Sequence, residues 1–215
     1  MIFEEILERM LNLYTKGIFA DEILKAKVEF FERSIPSLED DSSHFNLRMS
    51  QFLDWYLFTR KLNDIGLTPV EYGLQDREFP RKENDKKLFK ALLNADHSLF
   101  EFSKIKNQDI FIKDALTGKK ITVKNSDVTA GFREEELFSV RVIPYEDSYV
   151  FARGFCFHPS EATKYLLKEA ALNKKITEDK KEKLLLKFTR MKYKVDQYKH
   201  IQPKFIYTNE PAFRA

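Results

Sequence analysis

Four basic residues near the carboxyl end recur at steps of four, three and four: Lys183, Lys187, Arg190 and Lys194. At this spacing they would form one stripe along a helix. An apolar seam with the same steps lies one residue further on, at Leu184, Phe188, Met191, Val195 and Tyr198. Such a helix could pack its seam on the protein while the stripe contacts phosphates or carboxylates. The alternative is a solvated lysine face without a function.

The charge of the chain is concentrated in the same region. Residues 164–204 carry thirteen bases and five acids, a net charge of +8, whereas residues 1–50 carry −4 and the whole chain only +3. A basic segment on a balanced body is typical of proteins that bind polyanions. We therefore predict nucleic acid or an acidic protein as the partner, with Lys183, Lys187, Arg190 and Lys194 as the binding residues.

Two further basic residues are candidate anion contacts. Strand-like alternation around residues 138–142 places Phe138 on one face, and Ser139 and Arg141 on a second, wetter face. Arg153 lies in the following strand-like run and is expected to share that outer face. We predict that Arg141 and Arg153 bind an anion there.

Residues typical of enzymes are sparse. The chain has no glycine-rich phosphate loop, no HExxH and no GxSxG. His97 and His158 flank the strand-rich region and, together with Asp114, give the alternative of an enzyme site assembled from distant segments. Cys156 is the only cysteine, which excludes an intrachain disulfide and a multi-cysteine metal site. We expect Cys156 to be buried, no cofactor or metal, and a non-catalytic protein.

Five short strand-like runs, separated by turn residues, occupy residues 98–157. This spacing predicts a small antiparallel barrel-like sheet. Helical patterns cover 2–14, 21–33 and 43–61 before it, and 159–173 and 178–198 after it. Asn84 and Thr177 are expected to cap helices, and Thr68 with Glu71 forms a capping box. The predicted regions are 1–96 helical, 97–158 β, 159–201 a basic helical arm and 202–215 an irregular tail. They are expected to form one integrated globular unit.

Residues 52–143 contain five short motifs: Phe52-x-x-Trp55-x-Leu57-Phe58, Thr68-Pro69, residues 98–101 (SLFE), residues 114–118 (DALTG) and residues 137–144 (LFSVRVIP). With these motifs the segment resembles a poorly characterised domain of bacterial proteins that often carry SEC-C zinc motifs. The resemblance implies that the DALTG element is a strand-to-strand turn. The cysteine cluster of a SEC-C motif is absent, so zinc binding is not carried over, and the resemblance supplies no catalytic residues.

The sequence thus predicts an α+β protein with an N-terminal helical layer, a five-stranded antiparallel sheet and C-terminal helices. No apolar run approaches the ~20 residues that span a bilayer, and the acidic N-terminus does not resemble a signal peptide. We expect a cytoplasmic binding or adaptor module, without membrane contact, for an anionic macromolecule. The alternatives are a structural protein-interaction module and the enzyme described above. The oligomeric state stays open.

Overall fold

The computed structural model describes residues 2–31, 42–133 and 136–209. The chain divides into two compact units. The first contains Met1–Asp96, Ile143–Asp147 and Ala152–Gly154, and the second contains His97–Val142, Ser148–Phe151 and Phe155–Ala215. The architecture is α+β, as predicted, with helices before and after a curled antiparallel sheet.

The helices of the first unit are α1 (Glu4–Tyr14), a 3-10 turn (Gly17–Phe19), α2 (Ala20–Phe31), α3 (Ser42–Phe58), α4 (Pro69–Gln75) and α5 (Asp85–Leu92). Their core is aromatic because α2 and α3 pack through large rings. The ring centroid of Phe30 lies 5.3 Å from that of Trp55 and 5.7 Å from that of Phe52. Trp55 is therefore a buried core residue, as the apolar pattern around it indicates.

The apolar side of α2 differs from the prediction. The hydrophobic residues of its helical pattern would place Leu24 and Val28 on the buried side, but they are 61% and 71% exposed. The buried side instead runs through Ala26, Phe30 and Phe31. Since Phe30 packs on the α3 rings, it fixes the rotation of α2 and turns Leu24 and Val28 outwards.

Local capping explains where α4 begins. The backbone N–H of Glu71 donates to Thr68 Oγ1 at 3.2 Å, and the Glu71 carboxylate accepts from Thr68 N at 2.7 Å, which confirms the predicted capping box. Asn84 is the N-cap residue of α5, as predicted, but its side chain makes no capping hydrogen bond. The carboxylate of the next residue, Asp85, is held instead by Arg9, with 2.6 Å between Asp85 Oδ1 and Arg9 Nη2.

The strands are β1 (Asp96–Lys106), β2 (Asp109–Asp114), β3 (Lys120–Val123), β4 (Leu137–Tyr145), β5 (Ser148–Phe151) and β6 (Cys156–Phe157). Their order is β3-β2-β1-β4-β5, and β6 pairs with β4. All five predicted runs form strands, and the last run divides into β5 and β6. The sheet is a curled half-barrel. Its edges approach each other where Lys124 N donates to Ser148 Oγ at 2.9 Å.

The two faces of the sheet have separate cores, because successive side chains of a strand point to opposite sides. The inner face holds a cluster that includes Phe100, Ile110, Ile112, Phe138 and Val140. The outer face contributes Leu99, Leu116 and Leu137 to a second cluster, completed by helical residues that include Leu166, Leu185 and Phe188.

The helices on the outer face follow the sheet in the chain. They are a 3-10 turn (Ser160–Ala162), α6 (Thr163–Leu172), α7 (Glu178–Gln197) and α8 (Pro203–Ile206). Thr177 is the N-cap residue of α7, as predicted, but its side chain makes no capping hydrogen bond. The segment predicted as an irregular tail contains α8, and its residues 210–215 lie outside the described part of the chain. Among the described helices, none combines the length and apolarity needed to cross a bilayer.

The turn between β2 and β3 is built as the DALTG motif predicts. Asp114 Oδ1 accepts hydrogen bonds from the backbone N–H groups of Leu116 (2.7 Å) and Thr117 (3.0 Å). Gly118 has a φ of +76°, a conformation that glycine adopts without steric cost. Asp114 is therefore engaged in forming the turn.

Candidate functional site

The predicted basic stripe of α7 is only partly open to water. Lys183 is exposed, whereas Lys187, Arg190 and Lys194 are half-buried. Lys187 Nζ lies 3.4 Å from Glu169 Oε2 and donates to Asn209 Oδ1 at 2.8 Å. Lys187 is thus partly neutralised within its own unit, and Lys183 is the stripe residue most accessible to a partner.

The buried side of α7 is wider than the predicted seam. Phe188 and Met191 of the seam are buried, whereas Tyr198 is 40% exposed. The helix also buries residues that the seam does not contain: Glu182, Leu185, Thr189 and Tyr193. Two of these are polar, so α7 brings hydrogen-bonding groups as well as apolar ones to the outer face of the sheet.

Glu182 is the centre of a buried ionic group. Its Oε2 lies 2.9 Å from His97 Nδ1, and its Oε1 accepts from Arg141 Nη2 at 3.1 Å. Burial favours the neutral acid, but the electrostatic interactions and hydrogen bonds with His97 and Arg141 lower the pKa of Glu182 below its usual range. Glu182 therefore stays ionised and joins α7 to β1 and β4.

This ionic group changes the interpretation of the two arginines. Ser139 and Arg141 were expected on a wetter face, but they are only 1% and 5% exposed, because α7 covers that part of the sheet. Arg153 lies between β5 and β6, belongs to the first unit and pairs with Glu4. The two arginines do not share a strand face, and each already has an acidic partner.

A second buried polar group surrounds His158. Its Nδ1 forms a 2.8 Å hydrogen bond with the Tyr207 hydroxyl. Burial lowers the pKa of His158 to about 3 and raises that of Tyr207, so both are neutral at pH 7. Cys156 is buried as predicted, and burial raises the pKa of its thiol to about 12. A thiol that stays protonated is a poor nucleophile.

The residues of the enzyme alternative have different partners. His97 binds Glu182, His158 binds Tyr207, and Asp114 binds turn backbone. Each of these contacts connects parts of the fold. Because the three side chains have separate partners, the enzyme hypothesis gains no support from this arrangement.

The exposed positive charge lies around the α6–α7 connection rather than along the predicted stripe. Six lysines are exposed there, and we call them the lysine surface: Lys164, Lys168, Lys174, Lys175, Lys180 and Lys183. Two acids of the same arm, Glu169 and Glu182, are buried, whereas Glu178 and Asp179 in the first turn of α7 are exposed. The helical period of α6 could have predicted that Lys164 and Lys168 are exposed. Leu166 and Ala170 mark the buried side of this helix, and the two lysines lie on the opposite side.

The chain belongs to a family of unknown function, DUF7986, whose profile matches residues 33–202. This membership agrees with the predicted resemblance to an uncharacterised domain, and it shows no link to SEC-C motifs. No curated protein and no solved structure matches the chain.

Proposed function

We propose that this member of the DUF7986 family is a non-catalytic binding module whose lysine surface engages an anionic macromolecule. One observation carries the proposal: residues 164–183 expose six lysines and only two acids, Glu178 and Asp179, while Glu169 and Glu182 are buried. The exposed side chains of residues 164–183 therefore carry a net charge of +4. Exposed lysines of this kind attract nucleic acid or acidic protein and make binding depend on salt.

The lysines of α6 offer the cleanest test. Lys164 and Lys168 are exposed, stand four residues apart, and form no ion pair with the described part of the chain. We expect Lys164→Glu with Lys168→Glu to weaken the binding of a labelled oligonucleotide or polyglutamate. If two contacts to phosphates are lost, the slope of log K against log salt falls by between about 1.4 and 2. Fluorescence anisotropy across a salt series measures both effects.

The matched control lies on α5 in the first unit. Lys86 and Lys90 are also exposed and four residues apart on a helix, so Lys86→Glu with Lys90→Glu changes the net charge equally. Equal losses of affinity in both double variants would mean that net charge alone drives binding, and would contradict the proposal. Lys187→Glu is less informative, since it places a carboxylate beside buried Glu169 and perturbs the fold.

A protein-interaction role is the second candidate, supported by the outward side of α2. Leu24 and Val28 of α2 are 61% and 71% exposed, and Ile18 of the preceding 3-10 turn is 90% exposed, which places three large apolar side chains in water. Such groups favour association with another protein surface. Sedimentation velocity of Leu24→Glu with Val28→Glu tests this role. A wild-type protein that stays monomeric at high concentration and a variant that behaves identically would count against it.

A further inference from the structure

The outer face of the sheet continues beyond the part that α7 covers. Across β1, β2 and β3, the register aligns Lys104 with Phe111 and Thr122 in one row. The next row aligns Glu101, Lys113 and Lys120. Lys104 and Lys120 are exposed, so this region is open to water. We call it the open face; it carries three lysines, one glutamate and one aromatic ring.

Phe111 is the unusual member of this face. Its neighbours Ile110 and Ile112 point to the other side and are buried in the inner core. Phe111 itself is half-buried and belongs to neither apolar cluster of the second unit. Lys104 Nζ lies 5.0 Å from the centroid of its ring. The ring thus lies on a water-facing strand surface, covered by a flexible lysine rather than by the core.

A ring flanked by lysines on a sheet is suited to a ligand that has both flat apolar surfaces and negative charges. Unpaired bases stack on aromatic rings, and the phosphates that join them pair with lysine. An acidic protein segment would use the lysines but would gain little from the flat ring. Paired bases are stacked on each other and do not present their flat surfaces. The chemistry of the open face therefore favours a single strand.

We propose that the open face binds single-stranded nucleic acid, with a base stacked on Phe111 and phosphates held by Lys104, Lys113 and Lys120. This inference rests on the proposed function and narrows its anionic partner to nucleic acid. Lys113 exchanges its ion pair with Glu101, whose charged atoms lie 3.2 Å apart, for a phosphate contact. Lys104 moves from the ring to the backbone of the bound strand.

The test is fluorescence anisotropy with labelled ten-nucleotide strands, U10 and dT10, at low salt. Phe111→Leu keeps an apolar side chain but removes the aromatic ring, whereas Phe111→Tyr keeps the ring. We expect Phe111→Leu to weaken binding by at least about fivefold, since stacking on one ring contributes tenfold or so. Phe111→Tyr should bind within about twofold of wild type, because its ring still stacks. U10 and dT10 show whether the 2′-hydroxyl matters.

Phe205→Leu is the matched control, because Phe205 is also exposed, in α8, with Lys204 Nζ 5.0 Å from its ring centroid. Its substitution should leave the affinity for both strands unchanged. A second arm uses an abasic ten-mer of the same charge. Wild type should prefer U10 to the abasic strand, and Phe111→Leu should lose that preference. Thermal melts confirm that each variant is folded.

The outcomes separate this inference from the proposed function. Equal binding of U10 and the abasic strand, with no effect of Phe111→Leu, would overturn stacking. A loss of affinity on Lys164→Glu with Lys168→Glu would in that case still support the lysine surface. Failure of wild type to bind U10 and dT10 would also overturn the inference. Binding of polyglutamate in that situation would identify an acidic protein as the partner class.

Discussion

Two regions of one sheet face show how coverage decides the role of a charged residue. Where α7 covers β4, Arg141 is buried and forms an ion pair with Glu182. On the open face, Lys113 and Lys120 stand in the same alternating pattern but remain in water or half in water. A helix placed over a strand converts its charges into structural pairs. Strand alternation alone therefore does not distinguish a binding residue from a structural one.

The largest expected effect lies in the covered region. Glu182→Ala should destabilise the protein by about 3–5 kcal/mol, because it leaves buried Arg141 without its carboxylate. Chemical denaturation at pH 7 measures the free energy of unfolding. The control is Glu178→Ala on the same helix, since Glu178 is exposed and pairs with Lys181 at 3.0 Å. That pair is solvated, and its loss should cost under about 1 kcal/mol.

A double variant distinguishes a buried pair from mere packing. Arg141→Met with Glu182→Met replaces both charges by apolar side chains of similar length. Much of the stability lost in Glu182→Ala should return, since neither partner is left as an unpaired buried charge. A double variant as unstable as Glu182→Ala would show that the pair itself is not what holds α7 to the sheet.

The sequence predicted the features that depend on neighbouring residues better than those that depend on distant ones. The strands and the Asp114–Gly118 turn were predictable, since alternation and turn chemistry are local signals. The burial of Arg141 was not, because it depends on Glu182, forty-one residues further along the chain. The four-three spacing located the apolar seam of α7 but did not include Glu182 or Thr189. Polar residues on a buried helix side carry no hydropathy signal.

Burial of His158 should make the stability of the protein depend on pH. Its pKa is about 3 in the folded protein against 6.5 for an ordinary histidine, so between these values the unfolded chain binds the extra proton. Stability therefore falls as pH decreases through this window. From pH 7 to pH 5 the loss attributable to His158 is about 2 kcal/mol. His158→Asn, which cannot titrate, should lose correspondingly less stability over the same interval.

The measurement is the pH dependence of the unfolding free energy, and its control is His200→Asn. His200 is exposed, so this substitution controls for a histidine-to-asparagine change outside the buried core. The comparison uses the difference between pH 7 and pH 5 within each protein, which removes any uniform destabilisation by the substitution. Identical pH dependence in wild type and His158→Asn would show that this ring is not buried in its neutral form.

The smallest expected effect lies on the open face, where the direction of the change is the informative part. Lys120 stands directly opposite Lys113, so two like charges face each other across β2 and β3. Lys120→Glu replaces this repulsion by an attraction and should stabilise the fold by roughly 0.2–1 kcal/mol. Denaturation curves can resolve such a change when the variants are measured together.

Lys106→Glu is the matched control with the opposite expected sign, because Lys106 faces Asp109 across β1 and β2. Replacing this attraction by a repulsion should destabilise the fold by a similar amount. If Lys120→Glu instead costs more than about 1 kcal/mol, Lys120 supports the fold, and the open face resembles the covered one. Stabilisation combined with weaker oligonucleotide binding would mean that the fold tolerates Lys120 at some cost. That result would fit the proposed open face, since a lysine pair that weakens the sheet would then serve the binding of an anion.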